Sequence, residues 1–222
     1  VTNSTSTGMR GIAFNPVIAN LAVVRGSRQL YLYDITASTP TSGAKLSTEI
    51  SMTSEDAFQG DMQSLSWSND GKLVITQSKD KKCRFFDMRA ATSCVATVDD
   101  HTGIRYKRIL SNPAGMTESP YLLTFGHEGN FRNVNLIDTR AMATVSTSLV
   151  STGSTPLLPL GYDPDAGLCS ILHKEEDTMK VYKVDVSNTE SPLTEALSIP
   201  LVKNTQTHAI SMLPKQCCNT HE

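Results

Sequence analysis

The sequence predicts an all-β protein that repeats one unit of antiparallel strands about four times, and three observations carry this prediction. Four segments share the same order of apolar strands and polar turns, and an acidic residue closes each one. These residues, at intervals of 53, 51 and 47 positions, are Asp34, Asp87, Asp138 and Asp185. The apolar residues alternate with period two, as in strands. Asn, Asp, Pro and Gly cluster between the apolar runs, as hairpin turns require.

The first two units show these signals clearly. In the first, residues 11–35, the segment QLYLY at 29–33 alternates polar and apolar positions as a strand does. The second unit, residues 64–88, carries NDG at 69–71, where a tight hairpin needs a positive φ or a side chain bonded to the backbone. KDKK at 79–82 lies where the other units have their next turn, so we expect a solvated hairpin tip there.

The third and fourth units repeat the pattern with longer connections. The third, residues 107–139, contains the strand-like NVNL at 133–136, and the fourth, residues 157–186, contains the turn DPDAG at 163–167. Units of about 40–50 residues with several strands each are typical of a β-propeller, in which each unit is one blade. The sequence therefore predicts about four four-stranded blades.

We expect residues 1–222 to form a single, partial β-propeller domain. The predicted blades span approximately residues 11–60, 61–100, 101–150 and 151–207, and the opening strand of a further blade spans 208–216.

The blades resemble divergent WD40 repeats, which end in Trp-Asp. Such repeats hold an Asp in a tight turn that bonds a His in the preceding loop. Asp80 matches this Asp, although its His position holds Phe58, and His101 matches the His of the third blade, with Glu128 or His127 expected to face it. The resemblance implies structural roles within the blades for Asp80, His101, Trp67 and Phe86.

Four landmarks, in order along the chain, sharpen the resemblance to the coronins. They are SLSWSNDGKLVITQSKDKKCRFFDMR at 64–89, DHTGIR at 100–105, LLPLGYDPDAG at 157–167 and AISMLPKQ at 209–216. The match covers most of residues 11–216. The insert at 112–118 and the long Ser/Thr-rich connection at 37–61 depart from the pattern, which suggests a divergent coronin, with the long two-propeller type as one option.

The resemblance implies a seven-bladed WD40 propeller, of which this chain supplies the third to sixth blades and the start of the seventh. Remaining blades, or another copy of the chain, are then expected at the open edges. The implied role is a non-enzymatic scaffold in actin cytoskeleton organisation, cytoplasmic and cytoskeleton-associated, with actin filaments or actin-regulatory proteins as partners. The alternative is a WD-repeat adaptor in membrane trafficking or a multi-subunit complex without direct actin contact.

Basic residues concentrate in one part of the chain. The window 79–108 holds eight of the twenty Lys and Arg residues and four acids, although the whole chain has a net charge of −2. This asymmetry could steer an electronegative partner. The candidate partner-binding residues are Lys79, Lys81, Lys82, Arg84, Arg105, Lys107 and Arg108. The alternative is a neutralised blade surface with no partner.

Other functional classes find little support. The five histidines lie on different units or near the end, and the sequence has no G-x-S-x-G, P-loop or H-E-x-x-H motif, so we expect no enzyme and no cofactor. His208, Cys217, Cys218 and His221 are a weak metal candidate because side chains of adjacent cysteines diverge. We expect no nucleic acid partner, since Trp67, Phe85 and Phe86 have the pattern of core residues rather than stacking platforms.

The chain also lacks a run of about 20 apolar residues, so no transmembrane segment is expected. Its five cysteines show no C-x-x-C spacing, which favours a reduced, intracellular compartment over a disulfide framework.

Overall fold

The computed structural model describes residues 8–39, 43–50, 58–89, 94–111, 119–153, 155, 158–163 and 166–201. These residues form four antiparallel sheets of four strands each. The first sheet contains β1 (Gly11–Phe14), β2 (Leu21–Arg25), β3 (Leu30–Thr39) and β4 (Gly43–Ile50). The second contains β5 (Met62–Trp67), β6 (Leu73–Ser78), β7 (Lys82–Asp87) and β8 (Cys94–Asp99). The third contains β9 (Arg108–Ser111), β10 (Tyr121–Glu128), β11 (Phe131–Asp138) and β12 (Ala143–Thr152). The fourth contains β13 (Leu158–Asp163), β14 (Leu168–His173), β15 (Thr178–Val184) and β16 (Leu193–Pro200).

The first strand of each sheet faces the first strand of the next. Strand β1 contacts β5, β5 contacts β9, and β9 contacts β13. The sheets therefore fan around an axis with β1, β5, β9 and β13 on the inside, which is the arrangement of blades in a propeller. No helix occurs in the described residues. Strand β3 covers residues 30–33 of the alternating segment 29–33, and β11 covers the strand-like segment 133–136.

Apolar side chains from facing sheets form three core clusters. Because successive strand residues point to opposite faces, Phe86 packs toward the first sheet while Phe85 packs toward the third. Trp67 lies in the first of these clusters, and its indole Nε1 donates a hydrogen bond to the Ala13 carbonyl of the first sheet at 3.0 Å. Nine buried residues, among them Leu123 and Ile171, join the third sheet to the fourth. Each sheet thus supports the next through its apolar faces.

The two predicted turns of the second sheet occur where the sequence placed them. Gly71 in the β5–β6 turn has a φ of 67°, which glycine adopts at no steric cost. Residues 79–81 form the turn between β6 and β7, and Lys81 in it has a φ of 68°. The strand β12 runs to Thr152, slightly past the boundary expected for the third blade. The predicted strand at 208–216 and the insert at 112–118 lie outside the described residues.

One face of the fan, which we call the upper face, is built by two kinds of loop. One kind is the turn between the second and third strands of a sheet, such as 26–29 and 79–81. The other is the connection that leads into the first strand of the next sheet, such as 58–61 and 100–107. Backbone bonds join the two kinds, for example from Met62 N to Ser27 O at 2.7 Å and from Gly103 N to His127 O at 2.8 Å. The upper face is therefore a continuous, cross-braced surface.

Among the described segments, no helix is long and apolar enough to cross a membrane.

Candidate protein-binding face

The predicted basic residues divide into exposed and buried groups. Lys79, Lys81 and Arg105 are exposed on the upper face. Lys82 is partly exposed, but its Nζ lies 2.6 Å from Asp99 Oδ1, so a carboxylate on the neighbouring strand β8 already neutralises it. Arg108 is half-buried at the start of β9. Of the predicted set, the structure therefore leaves Lys79, Lys81 and Arg105 as the cations that project from this face into solvent.

Two residues of the predicted set require a correction. Arg84 is only 4% exposed and Lys107 is fully buried. Both side chains lie inside the protein because buried carboxylates hold them there, and neither can contact a macromolecular partner. Charge counting along the sequence could not distinguish them from the exposed lysines.

Arg84 forms a buried pair with Asp80, which we call the turn network. Arg84 Nη2 lies 2.9 Å from Asp80 Oδ2, and its guanidinium carbon lies 4.9 Å from the centre of the Phe58 ring. Asp80 also accepts hydrogen bonds from the Ser78 hydroxyl and from the backbone N–H of Gln59 at 3.0 Å. Phe58 occupies the place where WD40 repeats have a His, and here it stacks on the cation that pairs with Asp80.

The pKa of Asp80 reflects these contacts. Burial alone would raise this pKa, but hydrogen bonds from Arg84 and Ser78 and the charge of Arg84 outweigh burial, so the pKa is lowered. Asp80 is therefore an ionised structural residue.

Lys107 belongs to a second buried cluster, which we call the bridge network. Its Nζ lies 3.7 Å from Asp100 Oδ2 and donates to His101 O at 2.7 Å and to Ser78 O at 3.3 Å. The Asp100 carboxylate accepts hydrogen bonds from Gln77 of the second sheet at 2.7 Å and, in the third sheet, from Thr124 at 3.0 Å and Asn135 at 3.2 Å. Burial lowers the pKa of Lys107, and the nearby Asp100 opposes that shift. The bridge network joins the second sheet to the third.

His101 is part of the bridge network. Its ring Nε2 lies 2.9 Å from Thr124 O, and its pKa is lowered because burial disfavours the charged form. Gly126 passes directly beneath the ring, since a Cβ added there would lie 2.3 Å from His101 Cγ. The expected partners Glu128 and His127 contact the residues that follow His101, with Thr102 Oγ1 3.5 Å from Glu128 Oε1.

A third group, of which only Arg108 belongs to the predicted set, lies at the centre of the upper face. Arg25 ends β2, is 7% exposed and donates from Nη1 to Met62 O at 2.6 Å. The Arg108 guanidinium carbon lies 4.6 Å from the centre of the Tyr106 ring. The pKa of Arg25 is lowered, and burial is the largest cause. Tyr106 raises this pKa, whereas the charges of Arg108 and Arg10 lower it further. We call Arg10, Arg25, Tyr106 and Arg108 the inner rim.

The inner rim brings together residues of the first and third sheets, which the second sheet separates. The clue in the sequence is Arg25 at the end of the apolar run LAVV, where a charged residue needs a polar environment. That signal gives no partner, because Tyr106 lies 81 positions further along the chain.

No group of three metal-ligating side chains occurs within the part of the chain that the structure describes. His208, Cys217, Cys218 and His221 lie outside it.

Comparison with known proteins gives relatives over most of the chain. No protein-family model matches. Coronin-7 of Bos taurus is 30% identical over 190 residues, 84% of this chain, and Coronin-7 of Mus musculus is 29% identical over 189 residues. Coronin-A of Dictyostelium discoideum is 29% identical over 174 residues, 77% of this chain.

The chain is a coronin homologue. The resemblance inferred from the four landmarks is thereby confirmed. The chain spans 19% of the length of these two Coronin-7 sequences and 36% of Coronin-A.

Solved structures show the same fold for this coronin homologue. The WD40 domain of Toxoplasma gondii coronin superposes with a TM-score of 0.67 at 19% identity, covering 86% of this chain and 45% of that one. A chain of the Mitotic Checkpoint Complex superposes with a TM-score of 0.63 at 14% identity, covering 88% of this chain and 54% of that one. At such identities the likeness establishes the architecture alone, and it confirms the predicted WD40-type propeller.

Proposed function

We propose that this coronin homologue is a non-enzymatic WD40 scaffold of the cytoplasm whose upper face binds actin filaments or actin-regulatory proteins. The observation that carries the proposal is the exposure of Lys79, Lys81 and Arg105 on one braced face of a chain homologous to coronins. Loops held on a rigid framework are the usual place for binding residues.

The exposed charges around the second sheet of this face suit an electronegative partner, whereas the β14–β15 turn exposes the acids Glu175, Glu176 and Asp177. Asp61 is the acid nearest Lys79, at 3.9 Å, and Arg10 shares the same carboxylate at 3.3 Å. Lys81 and Arg105 add two further exposed cations. Exposed charges of this kind accelerate encounter and select the partner more than they raise affinity, and salt screens them.

A scaffold role also fits the titratable residues beneath this face. Asp100 and His101 direct their polar atoms to Gln77, Thr124 and Asn135 within the protein. A general acid or base needs a free side chain within reach of a substrate proton. These two residues instead fix one sheet to the next.

Co-sedimentation of the chain with actin filaments at increasing salt tests the proposal. The variant Lys79→Glu/Lys81→Glu reverses two exposed charges, and we expect its binding to weaken by roughly fivefold because attraction becomes repulsion. Lys82 is left unchanged because Asp99 already neutralises it. The matched control is Lys72→Glu/Lys183→Glu, which makes the same charge change away from the upper face and should pellet like the wild type.

Pelleting that fades with salt and with the upper-face variant supports the actin role. Absence of pelleting, or equal loss in both variants, contradicts that role and favours the adaptor in membrane trafficking or in a multi-subunit complex.

A further inference from the structure

The inner rim gathers more positive charge than the described part of the chain balances. Arg10 pairs with Asp61 at 3.3 Å. Neither Arg25 nor Arg108 has a carboxylate within 4.0 Å among the described residues. Arg25 donates instead to Met62 O at 2.6 Å and hydrogen-bonds the Tyr106 side chain, and Arg108 donates to Lys107 O at 3.3 Å.

Burying a cation without a counter-ion is unfavourable, and Arg25 is 7% exposed. Neighbouring like charges add to the cost, since Arg108 and Arg10 both act to lower the pKa of Arg25 beyond the effect of burial. An incoming carboxylate would relieve this repulsion. Each guanidinium offers five donors in a planar fork that matches a carboxylate with two parallel bonds.

Apolar surface lies beside these cations. Tyr106 is 49% exposed and stacks against Arg108, and Ile104 is 70% exposed. Ile104 is fixed in place, because its carbonyl accepts a hydrogen bond from Gln63 Nε2 at 2.9 Å. Exposed Tyr and Arg on a held loop are the residues that most often dominate the binding energy of protein interfaces.

We propose that the inner rim is a docking site for an acidic peptide segment, with Arg108 binding a carboxylate beside the buried charge of Arg25 and with Tyr106 and Ile104 contacting an adjacent apolar side chain. Phosphate would satisfy the arginines equally well. The exposed Tyr106 and Ile104 favour a peptide, because an inorganic anion leaves that apolar surface in water.

The inner rim is a different site from Lys79, Lys81 and Arg105, the exposed cations of the proposed function. The inference rests on the proposed function only in treating the upper face as a protein-binding surface. The inference adds the chemical class of ligand, an acidic peptide, that binds at the centre of the upper face. The two can fail separately, because filament pelleting is tested with Lys79 and Lys81 and peptide docking with Arg108 and Tyr106.

Fluorescence anisotropy with the full chain tests the proposal. The probe is a labelled peptide of four glutamates around one phenylalanine. One control peptide has glutamine in place of every glutamate, and another has serine in place of the phenylalanine. We expect the acidic peptide to bind and both controls to bind at least roughly fivefold more weakly, because each lacks one half of the recognition.

The protein variants are chosen to keep the fold intact. Arg108→Gln and, separately, the exposed Tyr106→Ala should each weaken binding by roughly fivefold. Arg10→Gln, at a side chain that is half exposed, gives a third variant should Arg108→Gln fail to fold. Arg140→Gln removes the same charge from a side chain that is 70% exposed and paired with Asp138, and it should bind like the wild type.

Three outcomes overturn the inference. The first is equal binding of the glutamine peptide. The second is wild-type affinity in both Tyr106→Ala and Arg108→Gln, or in both Tyr106→Ala and Arg10→Gln where Arg108→Gln does not fold. The third is binding that ignores the phenylalanine and is displaced by millimolar inorganic phosphate, which identifies a simple anion site.

Discussion

The turn network and the bridge network each contain a buried ion pair, but the first lies within one sheet and the second joins two sheets. Asp80 and Arg84 are four residues apart and belong to one hairpin, with side chains 8% and 4% exposed. Asp100 and Lys107 are fully buried, and the side chains bonded to Asp100 come from both the second and third sheets. The turn network stabilises the shape of one blade, whereas the bridge network fixes two blades relative to each other.

The difference indicates which of the two ion pairs contributes more to the stability of the fold. A charge that loses its partner in a fully buried site cannot reach water, so the penalty is large. A pair near a turn can regain solvent when it is disrupted. The bridge network should therefore be the more costly of the two to break.

Removing the carboxylate of the bridge network should have the largest effect. Asp100→Ala leaves Lys107 buried without a counter-ion, and we expect the free energy of unfolding to fall by about 3–5 kcal/mol. Urea unfolding followed by the fluorescence of Trp67, the single tryptophan, measures this change. Adding Lys107→Met should restore at least about 1 kcal/mol, because no lone charge then remains. A loss smaller than that of Asp80→Ala would contradict the comparison.

Removing the carboxylate of the turn network should cost less. Asp80→Ala deletes the partner of Arg84, yet Arg84 keeps its bond to Ser78 Oγ at 3.0 Å and its contact with Phe58. We expect a loss of about 2 kcal/mol in the same urea experiment. Ser78→Ala, which leaves the ion pair intact, is the control and should lose about 1 kcal/mol.

Mild acid should separate the two networks. Because the pKa of His101 is lowered in the folded protein, the unfolded chain binds a proton at this residue at a higher pH than the folded chain does. The contribution of neutral His101 to the stability of the fold is therefore complete above pH 6.5 and is lost as pH falls below that value. Asp100 and Glu128 oppose this shift and Lys107 adds to it. The lowered pKa of Asp80 places the loss from the turn network below pH 3.8 instead.

Unfolding free energies between pH 7.5 and pH 5 test this separation. We expect a steeper decline in the wild type than in His101→Gln, which no longer titrates. His127 and His173 have pKa values that burial also lowers, to about 4 for His173, and they titrate equally in both proteins. Identical slopes would show that His101 contributes nothing to the pH dependence.

The smallest expected effect lies in the turn itself. Lys81 is exposed and has a φ of 68°, a conformation that costs a residue with a Cβ more than glycine. Lys81→Gly should stabilise the protein by about 0.5–1 kcal/mol, since the left-handed strain is relieved while some chain entropy is lost. Lys79→Gly, at the neighbouring exposed position without a positive φ, should not stabilise, and thermal unfolding of both compares them.

The fold could be predicted because its signals repeat. The sequence signals of the fold reflect local backbone geometry, and each unit shows them again. Examples are the alternation at 29–33, the turn residues at 69–71 and the interval between Asp34 and Asp87. The WD40 resemblance predicts a structural role for Asp80, whose contacts lie in the β6–β7 hairpin and at the backbone of Gln59. The boundaries expected for the blades and the single-domain interpretation stay predictions.

The charged site could be predicted only in part. Lys82 pairs with Asp99 through the register between β7 and β8, and Lys107 is buried by contacts from two sheets. Neither fact follows from counting charges in a window. The sequence predicts only Arg108 of the inner rim, because Arg25 and Tyr106 meet across the second sheet and no local pattern links positions so far apart.

The contact between Gly126 and His101 has a consequence for related sequences. A Cβ at position 126 would overlap the imidazole, with 2.3 Å to Cγ and 2.4 Å to Cδ2. Position 126 can therefore carry a larger residue only in chains where position 101 has first become smaller. We expect substitutions at these two positions to be correlated across lineages, with the change at 101 preceding the change at 126.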